Sequence, residues 1–426
     1  MPKAIKSYLK STPKSGLTLA EMYSFPQVYG AGPTALKWSP DNKTLAFLWN
    51  EAGELRRDIY VSRPGKPAAR LTDSAKVGPL PVEDDERPKE DVEYAELMYS
   101  GVSEFDWAPD GSWIAYVCRG DLFRIAASGG EATRLTQMSQ GVGGVQVSLD
   151  GRRIGFKMGA NVWAYDVERG SLAQVTFFQK EEVAVQRYVW SPDSKWLAVY
   201  VEDRSMFEKV RMPDYSPEKE VKVKELRRGN VGKPLSKARV GFVPAEGGKM
   251  VRAALPEPGE DEAKEKKKDG ADEIDTGNSI RLHDASWTWD SSKLLVGAVG
   301  KDYKDYHLYA VSPEDAGAPV ELYTEVQEPW FCRCAVPSSP DSKYVYFSSY
   351  KTGWKHIYRV PTGGGDAEQI TEGEFDVTGY VVPKKGDRLF YTANAPHPSE
   401  RRVFSVPLSG GAVSYTHLTL PTILLV

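Results

Sequence analysis

One short phrase, written six times along the chain, constrains the fold more than any other feature. An apolar residue, often Trp, is followed by a small residue, Pro-Asp or a near equivalent, one or two polar residues, and an alternating apolar run. It reads WSPDNKTLAFL from Trp38, WAPDGSWIAYV from Trp107 and VSLDGRRIGFK from Val147. It returns as WSPDSKWLAVY from Trp190, WTWDSSKLLVG from Trp287 and SSPDSKYVYFS from Ser338, with a degraded copy, PKKGDRLFYT, from Pro383. Pro-Asp followed by Gly or Ser makes a tight turn, and period-two alternation after it predicts a strand with one face in a core. A second phrase follows most copies: DIYVSRPGKPAARLT from Asp58, DLFRIAASGGEATRLT from Asp121, NVWAYDVERGSLAQVT from Asn161, HIYRVPTGGGDAEQIT from His356 and RVFSVPLSGGAV from Arg402. Each predicts two strands joined by a Gly-bearing hairpin. The two phrases together supply about four strands per unit, the content of a propeller blade.

Spacing agrees. The turn aspartates fall at Asp41, Asp110, Asp150, Asp193, Asp290 and Asp341, at intervals of 69, 40, 43, 97 and 51 residues. A blade takes roughly 40–50 residues. The expected fold is therefore an all-β propeller of seven marked units, or eight blades if the longest interval holds another, with the ring incomplete. The residue mix fits strands and turns, with 22 Tyr, 14 Phe and 11 Trp against 38 Gly and 29 Pro. The two irregular intervals contain charged insertions, at Pro81–Leu97 and at Glu257–Asn278. The second has almost no apolar residues and reads as a flexible loop.

Composition closes several functional classes. The chain has 426 residues, 55 Lys plus Arg and 59 Asp plus Glu, a net charge of −4 that argues against a nucleic-acid binder. Mean hydropathy is −0.45, and no run approaches the ~20 apolar residues of a membrane helix. Cys118, Cys332 and Cys334 are too few for a disulfide framework and lack zinc spacing. The opening MPKAIKSYLKSTPKSGLTLA lacks the apolar run of a signal peptide, so the expected compartment is the cytoplasm, or the periplasm if the start is incomplete. No nucleic acid, membrane, metal or cofactor is expected as a partner.

Nucleophile and cofactor motifs do not occur. There is no G-x-S-x-G elbow, no P-loop, no H-E-x-x-H and no EF-hand loop. The five histidines are scattered, and His307 and His356 open matching HLY and HIY phrases, which favours a structural role. Cys332 and Cys334 alternate in a strand-like run with no further ligand in view. One cluster stands apart: FFQKEEVAVQRYVWSPD, in which Glu181 and Glu182 lie between one blade and the first strand of the next. Such connections sit on a propeller face where ligands meet the ring. Adjacent carboxylates repel and each favours a nearby cation, and a free peptide α-amino group is one that donates charge-assisted hydrogen bonds. Residue chemistry alone favours a solvated loop pair.

At this point the chain resembles a known family. LTLAEMYSFPQVYGAGPTALKWSPDNKTLAFL (Leu17–Leu48), KEEVAVQRYVWSPDSKWLAVYVEDRS (Lys180–Ser205), ELRRGNVGKPLSKARVGFVPAEGG (Glu225–Gly248) and WKHIYRVPTGGGDAEQITEGEFDVTGY (Trp354–Tyr380) occur in the order found in one propeller. That propeller is the N-terminal region of the dipeptidyl peptidase IV branch of the prolyl oligopeptidase family of serine peptidases, and the similarity covers nearly all of residues 17–413. The resemblance implies an exopeptidase that removes N-terminal dipeptides, its propeller gating an α/β-hydrolase domain. It also implies that Glu181 and Glu182 bind the ammonium of a peptide with a free N-terminus. The double glutamate lies about one residue closer to the following turn than in the family pattern, and no equivalent of the family's carbonyl-binding propeller arginine can be placed. No catalytic residue is expected in this chain, because the Ser, Asp and His belong to the C-terminal hydrolase domain, the expected intramolecular partner. The fragment is therefore expected to be inactive alone, with a homodimer expected of the full-length form. Residues 1–413 read as the propeller, and Ser414–Val426 breaks the repeat and resembles an extraneous translated adapter. The rival reading is a free-standing TolB-like propeller acting as a protein-interaction scaffold.

Overall fold

The Pro-Asp turns close on their own carboxylates. In the computed structural model, Ser39 Oγ donates to Asp41 Oδ1 at 2.6 Å and the Lys43 N–H donates to the same oxygen at 3.1 Å. The pattern recurs at Ser191, Asp193 and Lys195 and at Ser339, Asp341 and Lys343. The residue after each aspartate is left-handed: Asn42, Gly111, Gly151, Ser194, Ser291 and Ser342 have φ between 57° and 74°. A positive φ is tolerated best by Gly and Asn, which explains the turn chemistry of the repeated phrase.

The structure describes residues 18–23, 30–77, 101–138, 140–180, 182–215, 221–230, 236–256, 281–300, 303–326 and 335–416. A short helix, α1 (Leu19–Tyr23), precedes the strands. The first sheet contains β1 (Thr34–Trp38), β2 (Leu45–Trp49), β3 (Asp58–Ser62) and β4 (Ala69–Arg70). The second holds β5 (Val102–Trp107), β6 (Trp113–Cys118), β7 (Asp121–Ala126) and β8 (Thr133–Arg134). The third holds β9 (Val142–Val147), β10 (Arg153–Met158), β11 (Asn161–Asp166) and β12 (Ser171–Gln174). In the fourth, β13 (Val183–Trp190) and β14 (Trp196–Asp203) are followed by a separate two-stranded ribbon, β15 (Glu208–Asp214) and β16 (Lys222–Arg228). The sheet then resumes with β17 (Lys237–Pro244) and β18 (Val251–Arg252). The fifth contains β19 (Arg281–Trp287), β20 (Leu294–Val299), β21 (Asp305–Val311) and β22 (Val320–Val326). The sixth has β23 (Tyr344–Ser349), β24 (His356–Pro361) and β25 (Glu368–Gln369), and the seventh β26 (Val377–Val381), β27 (Arg388–Ala393), β28 (Arg402–Pro407) and β29 (Ser414–Thr416).

Each sheet is an antiparallel meander, and the phrase that begins at a turn aspartate supplies its second strand. Among the described residues the 97-residue interval contains the ribbon and no further blade. The sixth sheet departs from four strands: its opening phrase contributes only an isolated bridge, Ser338 to Val345. The insertions at Pro81–Leu97 and Glu257–Asn278 lie outside the described residues.

Chain contacts divide the protein into two compact units, Met1–Gln174 with Lys209–Leu226, and Val175–Glu208 with Arg227–Val426. In the first unit, β6 is buried at all six positions. Ile114, Tyr116 and Cys118 pack with Leu48, Ile59 and Phe105, while Trp113, Ala115 and Val117 pack with Val145, Ile154 and Phe156. Strand alternation thus feeds two cores at once, one on each side of the sheet. In the second unit β20 does the same, with Leu294, Val296 and Ala298 beside Phe242 and Leu295 and Val299 beside Phe347. Tryptophans lock neighbouring sheets: Trp107 Nε1 donates to Lys37 O at 3.1 Å, and Trp287 Nε1 donates to Val189 O at 3.3 Å. Gly101, just before β5, has no room for a side chain, because a Cβ would lie 2.5 Å from Arg57 O and 2.6 Å from Arg57 N. Gly101→Ala is expected to destabilise the first unit by about 1–3 kcal/mol in urea denaturation, since the obstacle is backbone.

In the first and second sheets a latch at the start of the third strand, at Asp58 and Asp121, ties it to the strand that follows. Asp121 is buried and accepts from Thr136 Oγ1 at 3.0 Å, from Met138 N–H at 3.1 Å and from Arg134 Nη2 at 2.5 Å. In the sixth sheet, His356 takes this place and Gln369 replaces the arginine. The imidazole Nε2 lies 3.0 Å from Gly373 O, and Nδ1 lies 3.3 Å from Thr371 Oγ1. Burial lowers the His356 pKa below its ordinary value of 6.5, outweighing the Gly373 carbonyl and the nearby acids, so the folded state favours neutral imidazole. The unfolded chain then binds a proton more readily than the folded one. Stability from this site is complete above pH 6.5 and is lost as pH falls below it through the folded pKa. Melting temperatures across that window are expected to fall less steeply for His356→Asn than for the unmodified chain, and identical slopes would contradict this.

Candidate functional site

Glu182 is placed by backbone before its side chain is considered. The chain turns tightly at Lys180–Val183, where the Val183 N–H donates to Lys180 O at 3.0 Å, and β13 begins at once. The Glu182 carbonyl accepts from the Arg204 N–H at 2.8 Å, which ties it to the residue leaving β14. The register Val183 to Asp203 and Asp203 to Lys237 brings the start of β13, the end of β14 and the start of β17 to one sheet end.

The side chains there are charged and matched. Arg227, on β16, places Nη2 2.8 Å from Glu182 Oε1. Its Nη1 donates to Phe207 O at 3.0 Å and reaches Ser205 O at 3.5 Å, so main-chain carbonyls hold the guanidinium independently. Arg204 meets Glu202 Oε2 through Nε at 2.8 Å and Nη2 at 2.6 Å. Arg239 Nη2 lies 3.5 Å from Asp203 Oδ2, and the Asp203 Oδ1 accepts from the Ser205 N–H at 3.0 Å.

Both key carboxyls sit below their ordinary range. For Glu182 the first cause is a hydrogen bond from its own main-chain N–H; slight desolvation opposes it and the Arg227 charge adds to it. For Asp203 burial pushes the pKa up, and the Ser205 hydrogen bonds with the Arg239 charge more than reverse that. Glu182 is therefore an ionised carboxylate at neutral pH, with its side chain 26% exposed and a second oxygen that meets no side-chain partner among the described residues. An arrangement of this kind can accept charge-assisted hydrogen bonds from a small cation.

Glu181, the other member of the expected pair, lies outside the described residues, as do Cys332 and Cys334. Burial pushes the Cys118 thiol up to about 12, so it is protonated and a poor nucleophile. His307 contacts Glu321 Oε1 at 2.7 Å and Asp305 Oδ2 at 3.3 Å. Among the described residues no group of three or more His, Cys, Asp or Glu could hold a metal ion, and no helix is long and apolar enough to cross a membrane. Sequence reasoning missed Arg204, Arg227 and Arg239. The only cue to Arg227 was its place in the segment ELRRGN, 45 residues after Glu182, with nothing to bring the two together.

Among the described residues, seven antiparallel meander sheets built on one turn-and-strand repeat define a β-propeller. The profile described as the dipeptidyl peptidase IV (DPP IV) N-terminal region matches residues 86–421, and the chain belongs to that family. The crystal structure of Porphyromonas gingivalis dipeptidyl peptidase 4 superposes with a TM-score of 0.68 at 17% identity, covering 94% of this chain and 54% of that one. At that identity the likeness speaks for the fold. The dipeptidyl peptidase 4 of Arthroderma otae is 34% identical over 65 residues, which is 15% of this chain and 8% of that protein. The chain thus spans about half the length of the solved structure (54%) and matches the fungal protein only locally.

Proposed function

We propose that this chain is the propeller portion of a dipeptidyl peptidase IV-like serine exopeptidase, which gates the catalytic site and binds the free N-terminus of the peptide. In this reading the Ser, Asp and His come from a C-terminal hydrolase domain, and the propeller contributes no reacting group. The observation that carries it is Glu182, an ionised carboxylate fixed at a blade end in a chain of this family. An ammonium held there sets the distance to the scissile bond, converting binding into register. Acetylation removes the charge and the donors, so blocked or internal peptides are excluded.

The 426-residue chain alone is expected to release no p-nitroaniline from Gly-Pro-p-nitroanilide, whereas the same propeller joined to its hydrolase domain releases it. An open reading frame with no hydrolase domain after the propeller would replace this reading with that of an interaction scaffold. The homodimer expected of the full-length form is read from the sedimentation of the same preparation.

A further inference from the structure

We infer that Arg227 is a built-in competitor for Glu182, a guanidinium that occupies the carboxylate in the ligand's absence and sets how strongly a free amine binds. The inference rests on the reading of Glu182 as the N-terminus clamp. Three observations lead to it. The ion pair is formed through a single oxygen, at 2.8 Å, between side chains that are 26% and 33% exposed. Such pairs do little to hold a side chain in place. Glu182 is also positioned without Arg227, by the Lys180–Val183 turn and by the Arg204 N–H on its carbonyl. Arg227 in turn stays where it is without Glu182, since the carbonyls of Phe207 and Ser205 hold Nη1.

The charge count makes the competition effective. Glu182, Glu202 and Asp203 share this corner with Arg227, Arg204 and Arg239, each pair within 3.5 Å, and Lys180 adds a further positive charge at longer range. Among the described residues, an incoming ammonium therefore meets a corner with no net negative charge. It must share Glu182 with a fixed guanidinium that repels it. Two cations on one carboxylate, a few ångströms apart in a water-like dielectric, weaken each other's binding roughly fivefold. Arg227 would thus act as a filter that lowers the affinity of every free amine for Glu182 by the same factor, so that the weakest amines are shed first.

Isothermal titration of the full 426-residue chain with the tripeptide Gly-Pro-Ala tests this. Arg227→Met is expected to bind roughly fivefold more tightly than the unmodified chain, Arg227→Lys to stay within about twofold of it, and Glu182→Gln to lose the gain when combined with Arg227→Met. An unchanged melting temperature for Arg227→Met shows that the fold is intact. Tighter binding by Arg227→Met that also vanishes with N-acetylated tripeptide supports the inference. Binding by Arg227→Met that is equal or weaker, with Glu182→Gln still losing affinity, overturns it and makes Arg227 an orienting residue instead. If Glu182→Gln binds as the unmodified chain does, if acetylation makes no difference, or if no variant gives heat, the N-terminus reading itself falls.

Discussion

Asp58→Ala is expected to lower the stability of the first unit by about 3 kcal/mol, the largest effect of any single truncation considered. Asp58 is 3% exposed and its carboxylate serves four donors. Thr72 Oγ1 lies at 2.9 Å, Ser74 N–H at 2.8 Å, Ser74 Oγ at 3.1 Å and Arg70 Nη2 at 2.6 Å. Alanine leaves the Thr72 and Ser74 donors buried without their acceptor, and an orphaned buried group costs more than a hydrogen bond contributes. Arg70 retains Asp73 at 2.7 Å, which keeps the loss below that of a fully stranded guanidinium. Urea denaturation, with hydrogen exchange at Ile59, whose N–H donates to Thr72 Oγ1 at 2.9 Å, reads the effect globally and locally. The sixth sheet supplies the converse experiment. His356→Asp places a carboxylate where the facing residue is Gln369, so it is expected to destabilise alone and to recover with Gln369→Arg. A simple sum of the two single effects would show that the latch is not a unit.

Glu182→Gln is the second large effect expected: on the proposed reading it lowers activity and leaves stability nearly unchanged. The side chain is partly exposed, so glutamine fits without creating a cavity. What it removes is a charged acceptor. A hydrogen bond to a charged partner contributes about 1.5–3 kcal/mol, so kcat/KM on a free-amine dipeptide substrate is expected to fall roughly 10- to 150-fold in the hydrolase-bearing protein. On an N-acetylated substrate, which has no ammonium to place, the same variant is expected to change nothing. A melting temperature that falls along with activity would instead mark Glu182 as a structural ion-pair partner of Arg227.

Much of the blade architecture was legible because its causes are local. A Pro-Asp turn needs a left-handed residue next, and Asn42, Gly111, Gly151 and Ser194 mark it in the sequence. The unbroken apolar runs WIAYV and LLVG report strands buried on both faces, where the turn-and-strand phrase alone implies one buried face. The ribbon was not legible. EKVRMPD and KVKELRR are exposed at nearly every position, so no core imposes a period of two on them. Cross-strand ion pairs join them instead: Glu225 with Arg211 at 3.0 Å and Lys209 at 3.7 Å, and Lys224 with Asp214. The same ribbon explains the half-legible site. Glu182 stood out as part of a like-charged pair, but Arg227 reaches it only because the chain runs out along β15 and returns along β16. A pairing made by an excursion of 45 residues leaves no signal in spacing.

On the proposed function, this propeller reads a peptide's free amine through Glu182. The most direct test crosses two changes in one kinetic experiment: Gly-Pro-p-nitroanilide against its N-acetyl form, and glutamate against glutamine at position 182 of the hydrolase-bearing protein. Either change alone is expected to lower kcat/KM about as far as both together, because each removes one half of the same contact. Losses that multiply independently, or equal hydrolysis of free and blocked substrates, would contradict it.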